Sequence, residues 1–338
     1  MATTSTPRER VWQAIRHVQP ERIPYSIDWT IPAREKLEKF YGTTDLDRLL
    51  DNHLAKYAPQ APDDCVEVRP NIWRDEFGVE WNRSEDKDIG IVENYPLKSR
   101  SFSGVTFPDP RKPARYAALP AFCEENKDRF RVVGIGYSMF ERAWIFRSMP
   151  ELMIDMLEAP EFVDELLDMI TEYQLAIVRE VVKHDIDGIR FGDDWGQQKG
   201  LLFGGRLWRR FIKPRVARLY AEVKAAGKAV IIHSCGQVQE LFPDLIEIGV
   251  DVFNPFQPEV MDLVEMKKQY GRQLAFYGGM SIQKVLPFGT VEEVRAETRR
   301  LIDKIGAGGG YIIAPSHDMP GDIPVENMVA FIEILREE

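Results

Sequence analysis

Two side chains that bind metals well stand one residue apart in the stretch Ala229 to Gln239, AVIIHSCGQVQ: His233 and Cys235. The run Ala229-Val230-Ile231-Ile232 reads as a buried strand, and the pair falls where that strand should give way to a loop. Side chains alternate along a strand, so in extended geometry positions 233 and 235 point the same way. An imidazole and a thiol side by side at the mouth of a sheet suggest half of a zinc site. Zinc favours nitrogen and sulfur, and a catalytic zinc takes three protein ligands and keeps a fourth position open. The plainer alternative is a core histidine beside a buried thiol, and only the rest of the chain decides between the two.

The elements that would position this pair are β-α units. From Arg131 onward, strand-like runs at 131–136, 188–191, 229–232, 251–254, 274–277 and 311–314 alternate with helical patterns, several of them closed by glycine (Gly227, Gly249, Gly271). The helix after Pro160 carries Phe162, Val163, Leu166, Leu167, Ile170, Tyr173, Ile177 and Val181 on one side. Upstream, Thr6-Pro7-Arg8-Glu9 opens a helix with a capping box, and Thr290 with Glu293 forms another. A strand is expected at 22–27, helical patches at 33–40 and 46–57, and a second strand at 65–68. Eight strand-like runs with intervening helices predict a single (β/α)8 TIM barrel spanning 1–338. Residues 70–110 change character and predict an inserted β-hairpin, Ile72 to Asp75 against Gly78 to Asn82, too short to build its own core.

The whole composition agrees with a globular enzyme-sized chain: 338 residues, 44% hydrophobic and 29% charged. A net charge of −10 argues against nucleic acid, since a phosphate-tracking surface needs a basic excess. No apolar run is long enough to span a membrane, and the opening MATTSTPRERVW has no signal-peptide core, so a cytoplasmic location is expected. Three scattered cysteines, Cys65, Cys123 and Cys235, suit a reducing compartment. No strand is followed by G-x-G-x-x-G, which removes the dinucleotide-binding reading.

Barrels do chemistry at the C-terminal ends of their strands. Here those ends read Asp28-Trp29; Tyr137 and Phe140; Asp193-Asp194-Trp195; His233 and Cys235; Asn254 and Gln257; Gly278-Gly279-Met280; and His317-Asp318. Only one of two adjacent aspartates can face the mouth, and Asp193 is the one expected there, as a general acid or as the partner that fixes a histidine tautomer; capping of the next loop is the alternative. Trp29, Phe140, Trp195 and Tyr277 are expected to wall an apolar substrate pocket, with Asn254 or Gln257 as an orienting amide. Trp144 is expected to be core packing.

The segments GDDWG (192–196), HSCG (233–236), NPFQP (254–258), YGGMSIQ (277–283) and GGGYIIAPSHDMPGDIPVEN (308–327), with TPRERVWQAIRHVQPERIP (6–24), resemble the uroporphyrinogen decarboxylase superfamily. The chain is most similar to that superfamily's cobalamin-dependent methyltransferase branch. There, an H-x-C pair after the fifth strand and a cysteine after the eighth bind a zinc that activates a substrate for methyl transfer. The resemblance implies His233 and Cys235 as the first two ligands. At the third position this chain has Pro315-Ser316-His317-Asp318, with no cysteine, so His317 is the implied third ligand, a hydrogen bond to loop backbone being its alternative role. Replacing a thiolate by an imidazole gives a harder, less negatively charged site, which favours an O- or N-methyl donor over a thiol. The corrinoid that takes the methyl group is expected on a separate protein, because the chain has no D-x-H-x-x-G stretch to hold one.

Two rival readings are kept. Uroporphyrinogen bears eight carboxylates, and its decarboxylases carry an arginine-bearing loop after the first strand; here that stretch is Ser26 to Pro32, and Arg34, Arg142 and Arg147 are the remaining candidates. A non-catalytic corrinoid or small-molecule binder would keep the barrel without the metal. Oligomeric state is left open, a homodimer being one assembly the sequence allows.

Overall fold

The computed structural model describes residues 5–337. In chain order the strands are β1 (Leu54–Tyr57), β2 (Cys65–Arg69), β3 (Ile72–Asp75), β4 (Glu80–Asn82), β5 (Ile91–Val92), β6 (Phe130–Ile135), β7 (Gly188–Gly192), β8 (Gly196–Gln197), β9 (Gly200–Leu201), β10 (Ala229–His233), β11 (Val252–Phe256), β12 (Ala275–Met280) and β13 (Tyr311–Pro315). Seven of them form one parallel sheet in the order β1-β6-β7-β10-β11-β12-β13. Sequential order with helices between neighbours is the pattern of a barrel rather than of an open doubly wound sheet.

The gap between β13 and β1 is filled by the segment 24–28, which pairs only through isolated contacts. Ser26 N–H donates to Ile313 O at 3.1 Å, Ile313 N–H to Pro24 O at 2.9 Å, and on the other side His53 N–H to Tyr25 O at 3.1 Å. Asn52 finishes that side with its side chain, accepting from Ile27 N–H at 2.8 Å and donating to Ile27 O at 3.0 Å. The expected first strand therefore takes the eighth place in the ring, as irregular backbone. The barrel was anticipated, but the assignment of its second strand was not correct: that strand is Leu54–Tyr57, inside a stretch expected to be helical, while Cys65–Arg69 belongs to the insertion.

The insertion is a four-stranded antiparallel sheet in the order β2-β3-β4-β5, larger than the expected hairpin. The β3–β4 pair is the anticipated one, with Ile72 opposite Asn82 and Trp73 opposite Trp81. None of its strands pairs with the barrel sheet.

Two hydrophobic clusters follow from strand alternation. Phe130, Val132, Ala229, Ile231, Val252, Ala275, Ile312 and Ala314 fill the barrel interior; Val133, Ile189, Phe191, Val230, Ile232, Phe253, Phe276 and Ile313 face the helices outside. The helix α1 (Pro7–Ile15) closes the N-terminal end of the interior with Val11, Ala14 and Ile15. Its capping box, Thr6 with Glu9, is present, as is that of Thr290 with Glu293. Asp187, buried at the foot of β7, ties this end together by accepting from Arg8, Trp12 and Arg131. Among the described residues no helix is long and apolar enough to cross a membrane.

Candidate metal centre

The alternation that packs the barrel interior also decides which polar residues reach its mouth. Continuing the inward parity of Leu54, Ile231, Val252 and Ala275 places Lys56, His233, Asn254 and Tyr277 inside; between outward Ile189 and Phe191, Arg190 points in as well. Strand register sets the heights: Ile231 lies opposite Arg190, and His233 lies opposite both Gly192 and Asn254.

His233, Cys235 and His317 come together there, with one potential ligand atom from each lying within 4.8 Å of the others. His233 Nε2 and Cys235 Sγ are 3.5 Å apart. A tetrahedral zinc with bonds of about 2.05 Å to nitrogen and 2.3 Å to sulfur would separate them by about 3.6 Å. The imidazoles of His233 and His317 meet edge to face, 5.3 Å between centroids.

Hydrogen bonding fixes how His233 can act. The Asn254 amide is oriented by its own partners: Nδ2 donates to Tyr277 O at 3.0 Å and Oδ1 accepts from Arg190 at 3.0 Å. It is therefore Oδ1 that meets His233 Nδ1, at 2.5 Å, so Nδ1 carries the proton and Nε2 turns its lone pair to Cys235. Arg190 also approaches Nδ1, at 2.7 Å, and one nitrogen cannot both donate to Asn254 and accept from Arg190. With a cation on Nε2, the Asn254 bond is the one that survives. Burial, then the charges of Arg190 and His317, hold the His233 pKa well below its ordinary value, which keeps the ring neutral and able to ligate.

The other two candidate ligands are less prepared. Burial and then the neighbouring Asp194 carboxylate push the Cys235 thiol up, so it is protonated until a cation displaces the proton. His317 is exposed and its Nδ1 accepts the Asp318 N–H at 2.8 Å, which puts the neutral ring's proton on Nε2; ligation requires that bond to yield or the ring to turn.

The loop after β10 is held by close glycine packing. Gly236 has φ +86°, and a Cβ there would lie 2.4 Å from the carbonyl carbon of Gly196; one on Gly196 would lie 2.6 Å from Cys235 O. The GDDWG and HSCG segments thus touch backbone to backbone. Gln257 secures the same loop by accepting Gly236 N–H at 3.3 Å.

Asp193 and Asp194 divide differently from expectation. Asp193 is fully buried and faces away from the mouth: its carboxylate accepts from Met139, Phe140 and Glu141 N–H at 3.2, 3.0 and 2.8 Å and from Trp195 Nε1–H at 2.5 Å. It caps the helix Phe140–Arg147, burial raising its pKa to about 6 against the pull of those donors. Asp194 is the one at the mouth, accepting Cys235 N–H at 2.8 Å. Burial, and then the charges of Asp194 and Asp193, push the pKa of Glu141 well above the ordinary carboxylate value.

The expected aromatic wall is not assembled. Phe140 and Trp195 are fully buried in the outer core, packed on Phe203 and Trp208 with centroids 4.3 and 5.2 Å away. Trp29, like Trp144, is partly buried against the same core. Tyr277 does reach the interior, where its hydroxyl donates to Asp28 at 3.2 Å, and Asp28 in turn pairs with Lys56. Of the arginines considered for carboxylate binding, Arg142 pairs with Asp75 at 3.3 Å and Arg147 with Asp155 at 2.7 Å. Arg190 and Lys56, missed from sequence, are the cations inside the mouth. A separate cavity of about 280 Å³ lies between the barrel and the antiparallel sheet, lined by Phe77, Trp81, Arg115, Tyr137, Arg142 and Tyr173 among others.

Comparison with known proteins matches this architecture to a family. The model of the uroporphyrinogen decarboxylase (URO-D) family matches residues 73–338. The methylated-thiol--coenzyme M methyltransferase of Methanosarcina mazei is 24% identical over 136 residues, 40% of this chain and 34% of that protein. The uroporphyrinogen decarboxylase of Magnetococcus marinus is 21% identical over 183 residues, 54% of this chain and 50% of the relative. These two matches span only a third to a half of the relatives' lengths. A solved methyltransferase from Methanosarcina mazei shares the fold, with a TM-score of 0.75 at 18% identity over 98% of this chain and 99% of that one. The chain belongs to the uroporphyrinogen decarboxylase family.

Proposed function

We propose that this enzyme is a zinc-dependent methyltransferase that moves a methyl group from a small O- or N-methyl donor to a corrinoid carried by a second protein. The observation that carries the reading is the convergence of His233, Cys235 and His317 at the C-terminal mouth of the barrel, one ligand atom from each within 4.8 Å. The donor set fits zinc, and bound zinc would supply a Lewis acid that polarises the donor's heteroatom. The protein's part is to hold His233 in the ligating tautomer through Asn254, to fix the Cys235 loop through Asp194, Gln257 and the Gly196–Gly236 contact, and to seal the barrel beneath with apolar side chains. The similarity to a methylated-thiol--coenzyme M methyltransferase supports methyl transfer as the reaction class. A second imidazole in place of a thiolate supports oxygen or nitrogen over sulfur in the donor.

Decarboxylation of a tetrapyrrole is the second reading, favoured by Arg190 inside the mouth and by relatives named as uroporphyrinogen decarboxylases. Lys56 is committed to Asp28, and Arg142 and Arg147 have their own carboxylates, so few cations remain for a substrate with eight acids.

Elemental analysis of protein purified without chelator tests the reading, for the wild type, Cys235→Ala and His317→Ala. Stoichiometric zinc in the wild type and its loss from both variants is the expected result, accompanied by methylcobalamin formation from a panel of methoxy and N-methyl compounds with reduced cobalamin. A wild type that takes up no metal when zinc is supplied sinks methyl transfer and leaves decarboxylation.

A further inference from the structure

The cavity of about 280 Å³ between the barrel and the antiparallel sheet lies apart from His233, Cys235 and His317, none of which lines it. The tight turn between β3 and β4 brings Phe77 to its wall, the helix Phe140–Arg147 and the residues before it bring Arg142 and Tyr137, and the helix Pro160–Val181 brings Tyr173 and Gln174. Asp75 shapes the turn by accepting the Phe77 and Val79 N–H groups, both at 2.9 Å, and Gly78 supplies its φ of +79°. Phe77 then packs edge-on against Tyr173 with 5.1 Å between centroids, and Trp81 of β4 stacks on Tyr137 at 5.5 Å. Gly136, just after β6, borders open space: an added Cβ would meet nothing within 4 Å.

The buried acids of this wall are already matched. Asp75 takes two further donors, Trp81 Nε1–H at 3.2 Å and Arg142 Nη1 at 3.3 Å. Glu76 accepts the Tyr173 hydroxyl at 3.0 Å and pairs with Arg115, and Asp64 is held by Arg115 and Lys112 at 3.2 and 3.1 Å. Arg142 is not matched. It is 8% exposed, and its guanidinium lies over the Phe77 ring at 4.1 Å. Its one ion pair among the described residues is the 3.3 Å contact with an acid that serves three other donors, and Nε, also buried, has no partner there. A buried cation held so thinly is short of compensating charge. Gln174, 3% exposed, likewise has no partner for Oε1. The unused capacity of the cavity is therefore a guanidinium and an amide set among aromatic rings.

We propose that this cavity binds a small aromatic carboxylate, its acid on the Nε–Nη2 edge of Arg142 and its ring against Phe77, Trp81 and Tyr137. Nη1 is the nitrogen committed to Asp75, which leaves that edge for the two parallel bonds a guanidinium makes to a carboxylate. The volume stands at the small end of the range for ligand pockets and suits one ring with a short substituent. Gln174, with an amide that offers both donors and an acceptor, meets a polar group on that ring. The site goes beyond the methyl-transfer reading and shares no residue with it, so it stands whether or not the barrel mouth holds a metal.

Benzoate is the probe, with benzamide as the control for charge and acetate as the control for the ring, titrated calorimetrically into the wild type, Arg142→Leu, Arg142→Lys, Trp81→Phe and Cys235→Ala. The wild type should bind one benzoate per chain, and each control about tenfold or more weakly than that. Arg142→Leu should lose about tenfold to a hundredfold in affinity, the worth of hydrogen bonds to a charged group, and Arg142→Lys should recover part of it. Asp75 keeps three donors in both variants, so the turn should hold, and melting temperatures check that it does. Trp81→Phe should still bind benzoate but lose the change in tryptophan fluorescence that benzoate causes in the wild type, which locates the ligand even if the arginine variants fail to fold. Cys235→Ala should bind as the wild type does. No saturable binding to the wild type, equal affinity in Arg142→Leu, or a fluorescence change that survives in Trp81→Phe overturns the proposal. Loss of binding in Cys235→Ala overturns it as well, by moving the ligand to the barrel mouth.

Discussion

The carboxylate of Asp193 accepts the indole N–H of Trp195 at 2.5 Å, two residues on, and this contact turns both side chains away from the barrel mouth into the packing around the helix Phe140–Arg147. The pair therefore answers to stability before function. Trp195→Ala should cost about 3–5 kcal/mol, as large aromatic truncations in cores do. Asp193→Ala, which leaves three backbone N–H groups and an indole unpaired, should cost at least about 3 kcal/mol. Urea denaturation measures both. Wild-type stability with weakened substrate binding would instead put Trp195 back in the pocket.

Asn254 orients the only candidate ligand that is already in its ligating state. Asn254→Leu should lower metal affinity about tenfold to hundredfold, and Asn254→Asp should retain it, because a carboxylate still accepts the His233 Nδ1 proton. Chelator competition separates the two variants, and equal affinities would show that His233 needs no partner.

Gly236→Ala probes the contact between the two loops. The added methyl meets Gly196 at 2.4 Å in a backbone conformation with φ +86°. Left-handed strain alone costs about 1–2 kcal/mol, and relief of the clash must move Cys235. Melting temperature and metal affinity should fall together; a fall in the first alone would mean that the Cys235 position is set elsewhere.

His53 gives the fold an acid-sensitive point where the barrel closes. It is fully buried, packs against Tyr25 with 4.3 Å between centroids and the rings tilted by 37°, and neither ring nitrogen has a partner among the described residues. Burial, aided by Arg10, Arg22 and Arg129, lowers its pKa to about 3. Above the unfolded value near 6.5 the ring is neutral in both states and costs nothing. Below it only the unfolded chain takes up the proton, so stability falls as pH drops from about 6.5 towards 3, by up to about 1.4 kcal/mol per unit. Between pH 7.5 and 5 the wild type should lose about 2 kcal/mol more than His53→Phe in denaturant titrations. Parallel losses would assign the acid sensitivity to other groups.

The regular half of the barrel was legible because its strands are apolar on both faces and its helices end in glycine. Leu54–Tyr57 was not, because Lys56 points into the barrel and breaks the apolar run that marks a buried strand. Cys65–Arg69 reads as a barrel strand because a short alternating run looks the same in either kind of sheet. At the candidate metal centre, His233 and Cys235 followed from motif and strand-end position and His317 from the family resemblance, whereas the choice between Asp193 and Asp194 needed strand parity. Arg190, flanked inward by Gly188 and Gly192, carries the same parity and would have revealed both itself and Asp194. The aromatic wall failed for a different reason: residues past a strand end turn with the loop, and Phe140 and Trp195 turn outward.

The barrel's ring of backbone hydrogen bonds is complete without the antiparallel sheet, since none of β2 to β5 pairs with it, yet that sheet supplies one wall of the cavity whose other wall is the end of β6. Mutational drift therefore has two separate ledges on which to act. Changes across 65–92 can reshape that chamber while the ring that holds His233 and Arg190 keeps its register, so the shape of the chamber is free to vary independently of the residues at the barrel mouth.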